Sequence, residues 1–96
     1  MSVTIGHTTF NRVRYDARGD VLYMHAGEPS DAVDFHGASE GHGLGYDAHG
    51  RLVRLTLLNA RWSLDRDGEV RVTFPDGQVL TACREDLAPV LASPAA

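Results

Sequence analysis

Lysine is missing from this chain: all nine of its basic residues are arginine. Arginine codons are GC-rich, so base composition accounts for the bias first and arginine-specific recognition second. The single cysteine, Cys83, excludes an internal disulfide and fits a reducing compartment. It ends the strand-like run Gln78-Val79-Leu80-Thr81-Ala82-Cys83, where a buried, inert thiol is expected. No apolar stretch approaches the roughly 18 residues of a membrane span. Met1-Ser2-Val3-Thr4-Ile5 has neither the basic nor the apolar region of an export signal. These absences lead to the expectation of a soluble, cytoplasmic protein with no membrane contact. A basic excess is lacking too. The net charge of −4, with a pI near 5.6, argues against a general nucleic-acid binder and suits a basic protein partner better.

What the chain does have is punctuation. Asp16-Ala17-Arg18-Gly19, Asp47-Ala48-His49-Gly50 and Asp65-Arg66-Asp67-Gly68 share an Asp-x-x-Gly frame, and Phe74-Pro75-Asp76-Gly77 is a variant with Pro in second place. Asp opens a type I turn by bonding back to the backbone, Pro suits the second position, and a closing Gly supplies the positive φ of a hairpin loop. Between these turns apolar and polar residues alternate. Val70, Val72 and Phe74 oppose Glu69, Arg71 and Thr73; Val53, Leu55 and Leu57 oppose Arg54 and Thr56; Val33 and Phe35 alternate with Asp34 and His36. Val13 and Tyr15 oppose Arg12 and Arg14, and Val21-Leu22-Tyr23-Met24-His25 is apolar enough for a strand covered on both sides.

Ninety-six residues make one domain, read as 1–92 with a frayed tail at 93–96, able to bury roughly 60–65% of its unfolded surface. Gly27-Glu28-Pro29-Ser30 reads as a turn. The glycines of Gly41-His42-Gly43-Leu44-Gly45 predict a bulge or a close backbone approach. The one helical pattern is Leu87, Val90 and Leu91, with Asp86 as N-cap and Pro89 in the first turn. The expected fold is therefore mainly β: an antiparallel hairpin or meander sheet of six or seven strands, curled over one core, with a short C-terminal helix.

Tyr15-Asp16 with Asp20-x-Leu22-Tyr23-Met24, then Gly45-Tyr46-Asp47-x-x-Gly50-Arg51-Leu52-Val53 and Leu55-x-Leu57-Leu58-x-Ala60, resembles the YuzE-like domain of unknown function over residues 13 to 60. The resemblance implies a small β-rich bacterial domain with no agreed activity, some members of which are suspected antitoxins of RelE-like toxins. The chain departs from that pattern in its Gly-rich 41–45 segment, in Arg54 where Gly is frequent, and in the added residues 61 to 83, read as a further hairpin.

The five histidines raise a metal hypothesis. Asp34-x-His36 and Glu40-x-His42 have the i, i+2 spacing that puts two ligands on one face of a strand. A small metal-dependent hydrolase built on His36, His42 and Glu40 or Asp34 is thus the alternative reading. No H-x-H pair, HExxH run or second cysteine supports it, and solvent-exposed polar positions give the same pattern. Residues 63 to 74 fail as a calcium loop because Ser63 and Phe74 stand where carboxylates are required. The 41–45 glycines lack the Lys-Ser/Thr of a phosphate loop. No nucleophile sits in a strained elbow.

Arg12, Arg14, Arg54 and Arg71 fall on polar sides of strands, where a cation row could meet RNA phosphate or an acidic partner. Pairing with Glu69, Asp34 or Asp20 is the commoner arrangement. Trp62 either closes the core or, if exposed, anchors an interface. The reading that follows is a non-enzymatic protein-binding domain without cofactor, a homodimer through open sheet edges, and an antitoxin-like partner of a basic toxin. Arg54, Arg71 and Trp62 are its interface candidates.

Overall fold

A computed structural model describes residues 2–91; the tail expected at 93–96 lies outside the described residues. The described strands are β1 (Val3–Ile5), β2 (Thr8–Phe10), β3 (Arg12–Asp16), β4 (Val21–His25), β5 (Asp34–Gly37), β6 (Gly43–Tyr46), β7 (Leu52–Leu58), β8 (Glu69–Thr73) and β9 (Val79–Cys83). Helices α1 (Ala60–Asp67) and α2 (Arg84–Leu91) complete the regular elements, with a 3-10 turn at Pro29–Asp31. One antiparallel five-stranded sheet runs in the order β3-β4-β7-β6-β5, and β1–β2 and β8–β9 are separate hairpins. The mainly β, antiparallel class with a short C-terminal helix is what the sequence led us to expect. The described strands number nine because β1 and β2, three residues each and joined at Gly6 (φ +63°), are too short to show alternation.

Three of the four turns form as hairpins. Asp47 Oδ1 accepts the N–H groups of His49 and Arg51, both at 2.9 Å, and Gly50 takes φ +78°. Gly77 (φ +91°) closes the β8–β9 turn with its N–H on the Phe74 carbonyl at 2.9 Å. In the β3–β4 turn the positive φ falls on Asp20 (+54°) rather than on Gly19. The fourth segment, Asp65–Gly68, is instead the last turn of α1, and Gly68 (φ +77°) ends the helix by donating its N–H to the Leu64 carbonyl at 2.8 Å. Glycine after a helix and glycine in a hairpin meet the same need for a left-handed residue, so the frame alone does not separate them. The added segment is consequently helix plus hairpin.

Two further expectations are corrected at the C-terminal end. Helix α2 begins at Arg84, so Asp86 sits inside the first turn, where its Oδ2 accepts the Cys83 N–H at 3.0 Å, and Pro89 lies within the helix. Cys83 is exposed, with Sγ 3.1 Å from the same Asp86 oxygen. Ala82 takes the buried position of that strand, which turns its neighbour outward.

A single core lies between one face of the sheet and the remaining elements. Leu22, Met24, Leu44, Leu55 and Leu57 form the sheet side, with Val13 and Tyr15 half-buried beside them. Val3, Ile5, Phe10, Val70, Val72, Ala82, Leu87 and Val90 cover them from the two hairpins and α2. Helix α1 packs on β8. Its first turn is capped from a distance: Asp20 Oδ1 accepts the Arg61 N–H at 2.8 Å and Oδ2 the Trp62 N–H at 3.0 Å, while Tyr15 Oη donates to Oδ1 at 2.7 Å.

Candidate functional site

The other face of the sheet is set by register. Residues directly opposite in an antiparallel pair share a face. One outer row therefore reads Arg12, His25, Arg54, Gly45, Phe35, and the next reads Arg14, Tyr23, Thr56, Gly43, Gly37. The connection from β4 to β5 spans β7 and β6 and borders this face, placing Ala32 Cβ 3.5 Å from where a Cβ on Gly45 would stand. Arg12 is held there by Gly27 and Glu28: Nε donates to the Gly27 carbonyl at 3.2 Å, and Nη2 lies 3.2 and 3.3 Å from the two Glu28 oxygens.

Gly45 is required where it sits. A Cβ would come within 2.8 Å of Arg54 Cβ and 3.4 Å of the Phe35 ring. The bulge expected from the glycine run is present between Gly45 and Tyr46. Across this strand the Arg54 guanidinium lies 5.7 Å from the Phe35 ring centroid; between β3 and β4, Arg14 lies 4.6 Å from that of Tyr23. Arg12, Arg14 and Arg54 thus form the cation row anticipated from alternation. Arg71 does not join it: it sits on β8, 3.1 Å from Glu69. Among the described residues Arg14 and Arg54 form no ion pair.

Beneath the row lies a residue that the sequence did not single out. His25 is 9% exposed, and neither ring nitrogen has a hydrogen-bond partner among the described residues. It lines a cavity of about 550 Å³ with Arg12, Arg14, Arg54, Tyr23 and Asn11. In an almost wholly apolar strand its ring reads as one more filler, and only the register places it between two arginines.

The four candidate metal residues do not converge; no group of three His, Cys, Asp or Glu able to hold an ion occurs among the described residues. Asp34 and His36 are exposed on edge strand β5, 3.0 Å apart, with the His36 ring edge-on to Tyr46 at 5.7 Å. Burial and the Asp76 and Asp34 charges push the Tyr46 hydroxyl up. Glu40 spends both oxygens on Thr73, accepting its N–H at 2.8 Å and its hydroxyl at 2.6 Å. Burial opposes the Glu40 charge, but these bonds outweigh it and hold the carboxyl below its ordinary range. His42 is buried with both nitrogens engaged: Nδ1 accepts the Leu58 N–H at 3.0 Å, so Nε2 carries the proton and donates to the Arg71 carbonyl at 3.1 Å. Burial lowers its pKa, against the pull of Arg71 and Glu40.

Trp62 is 54% exposed on α1 with the Arg66 guanidinium 4.2 Å over its ring, which assigns it to the surface alternative. Val33 and Phe35, expected on an inward face, are 60% and 57% exposed. They belong to an edge, where Ala38 donates its N–H to the His42 carbonyl at 2.8 Å. Alternation from that bond turns the Asp34 and His36 backbones toward β6 and leaves the N–H and C=O groups of Phe35 and Gly37 directed away from the sheet.

Fold and surface together define a small antiparallel β domain with one covered sheet face, one open face and an open edge. The chain matches no family model, no curated protein and no solved structure. No described helix is long and apolar enough to cross a membrane.

Proposed function

We propose that this chain is a non-enzymatic protein-binding domain that recognises its partner by strand addition at β5. The observation that carries the reading is the edge itself: all four residues of β5 are exposed, and Phe35 presents an apolar ring beside its outward backbone groups. Val33, whose N–H is taken by the Tyr46 carbonyl, adds a second exposed apolar side chain. A second copy fits this edge in a self-complementary register. Pairing Phe35 with Phe35 of the second copy uses the outward backbone groups and stacks two rings. It also sets each Asp34 opposite the other copy's His36. The product is a homodimer with a continuous ten-stranded sheet, twice the five strands of one copy.

The YuzE-like resemblance supplies the heterologous partner, a RelE-like toxin, and the net charge of −4 complements a basic protein of that kind. Sedimentation equilibrium tests the edge directly. The wild-type chain sediments as a dimer and Phe35→Lys as a folded monomer; a wild-type monomer at every concentration sinks the edge reading. Co-expression with a RelE-like toxin from the same genome tests the partner: co-purification and restored growth are expected, and a toxin that stays active and alone overturns the antitoxin role.

A further inference from the structure

The chain is acidic as a whole, yet its charges are not evenly placed. The open sheet face carries Arg12, Arg14 and Arg54, with Asp16 at the far end of the same β3 row and Glu28 and Asp31 in the connection that borders it. Of these arginines only Arg12 has a carboxylate partner, Glu28. Two aromatic rings, Tyr23 and Phe35, share the face, each with a guanidinium over or beside it. Between them Gly37 has open space above its backbone and Gly43 is half-exposed, whereas Gly45 is covered by Arg54, Phe35 and Ala32. The nine-tenths-buried His25 adds an N–H donor and a nitrogen acceptor with nothing to bond, in the cavity those arginines line.

Burying such a ring unpaired is unfavourable, and a phosphate oxygen is the acceptor its N–H lacks. Guanidinium forks match the same oxygens. Aromatic and arginine planes on an open sheet are the platform on which unstacked bases lie.

We infer that the outer face of the five-stranded sheet binds single-stranded nucleic acid, with Arg14, Arg54 and His25 around one phosphate and Tyr23 and Phe35 stacking the adjoining bases. An acidic peptide would use the arginines but would leave the ring faces idle, so the nucleotide fits more of what is there. Net charge does not oppose this, because a phosphate within a Debye length of about 10 Å responds to the local row rather than to the whole molecule. The site lies within one copy and needs no pairing at β5.

The test is fluorescence anisotropy on the full chain with labelled oligouridylate and oligothymidylate about 12 nucleotides long. Binding of either supports the site and identifies the backbone it prefers. Affinity should fall between about 50 and 200 mM salt with a log–log slope near about −0.7, one phosphate contact's worth. Arg14→Ala with Arg54→Ala should abolish measurable binding, and Tyr23→Ala or Phe35→Ala should weaken it about tenfold each. His25→Leu keeps the volume and removes the unpaired nitrogens; it should melt at or above the wild-type temperature and still bind several-fold more weakly. The inference is overturned by no binding at low salt, by polyglutamate or duplex competing as well as the single strand, or by arginine variants that bind like wild type.

Discussion

Arg54 and Leu55 are neighbours in sequence and opposites in consequence, because one belongs to the open face of the sheet and the other to its covered face. The same contrast separates the two buried histidines. His42, at the edge of the covered layer, has both nitrogens bonded and joins β7 to β8 through backbone partners. His25, on the open face, has neither. Structure accounts fully for the first histidine. For the second it accounts only for the volume, and the unspent polar atoms point to something that arrives from outside.

The contrast can be broken most severely at Leu55, which is fully buried in the middle of the sheet. Leu55→Ala should lose about 2–5 kcal/mol in urea denaturation, enough to threaten folding in a domain of this size. Next comes His42→Leu, which strands the Leu58 N–H and the Arg71 carbonyl and should lose about 2–4 kcal/mol. It also carries a pH signature. The folded pKa lies below the unfolded value, so the unfolded chain takes up the proton first. His42's contribution is complete above about pH 6.5 and is lost as pH falls toward the folded value. Wild-type stability should therefore fall as pH drops below about 6.5, and the decline should be shallower in His42→Leu.

Asp20→Ala removes two bonds that tie α1 to the β3–β4 turn, and a third from the Tyr15 hydroxyl, and should lose about 1–2 kcal/mol. Burial opposes the Asp20 charge, but the Arg61 and Trp62 N–H groups and the Tyr15 hydroxyl prevail and hold its carboxyl below the usual range. The wild type accordingly loses this contribution as pH falls below about 4, whereas Asp20→Asn should show a flatter acid limb in the same titration. Smallest of all is Arg54→Ala, which should shift thermal stability by no more than about 0.5 kcal/mol. A larger loss would mean that the outer face is structural after all, and the contrast between the two faces would dissolve.

Much of the architecture was legible because β alternation has period two and its registers were internally consistent. The turns at Asp47–Gly50 and Phe74–Gly77, the inward Leu55, Leu57, Val70 and Val72, and the bulge by Gly45 all follow from local chemistry. Helix α1 was not legible. Ala60–Asp67 has only Ala60 and Leu64 buried, too little apolar periodicity to announce a helix, and its Asp-x-x-Gly ending imitates a hairpin. Its cap comes from Asp20, and no scan of neighbouring residues would find it there. The arginine row was readable as Arg12, Arg14 and Arg54, but Arg71 was drawn in falsely because alternation gives the face of a strand and not the sheet to which the strand belongs. His25 was hidden for the same reason. The order β3-β4-β7-β6-β5 is what seats it between Arg12 and Arg54.

The remote capping of α1 bears on the order in which the molecule assembles. Asn59 and the residues after it offer the first helical turn no side-chain acceptor of their own, so the turn is completed only when a carboxylate from the far end of a forty-one-residue loop has been brought back to it. Closing such a loop is entropically slow. Amide protons of Arg61 and Trp62 should thus acquire exchange protection late in refolding, together with the central strands and not ahead of them.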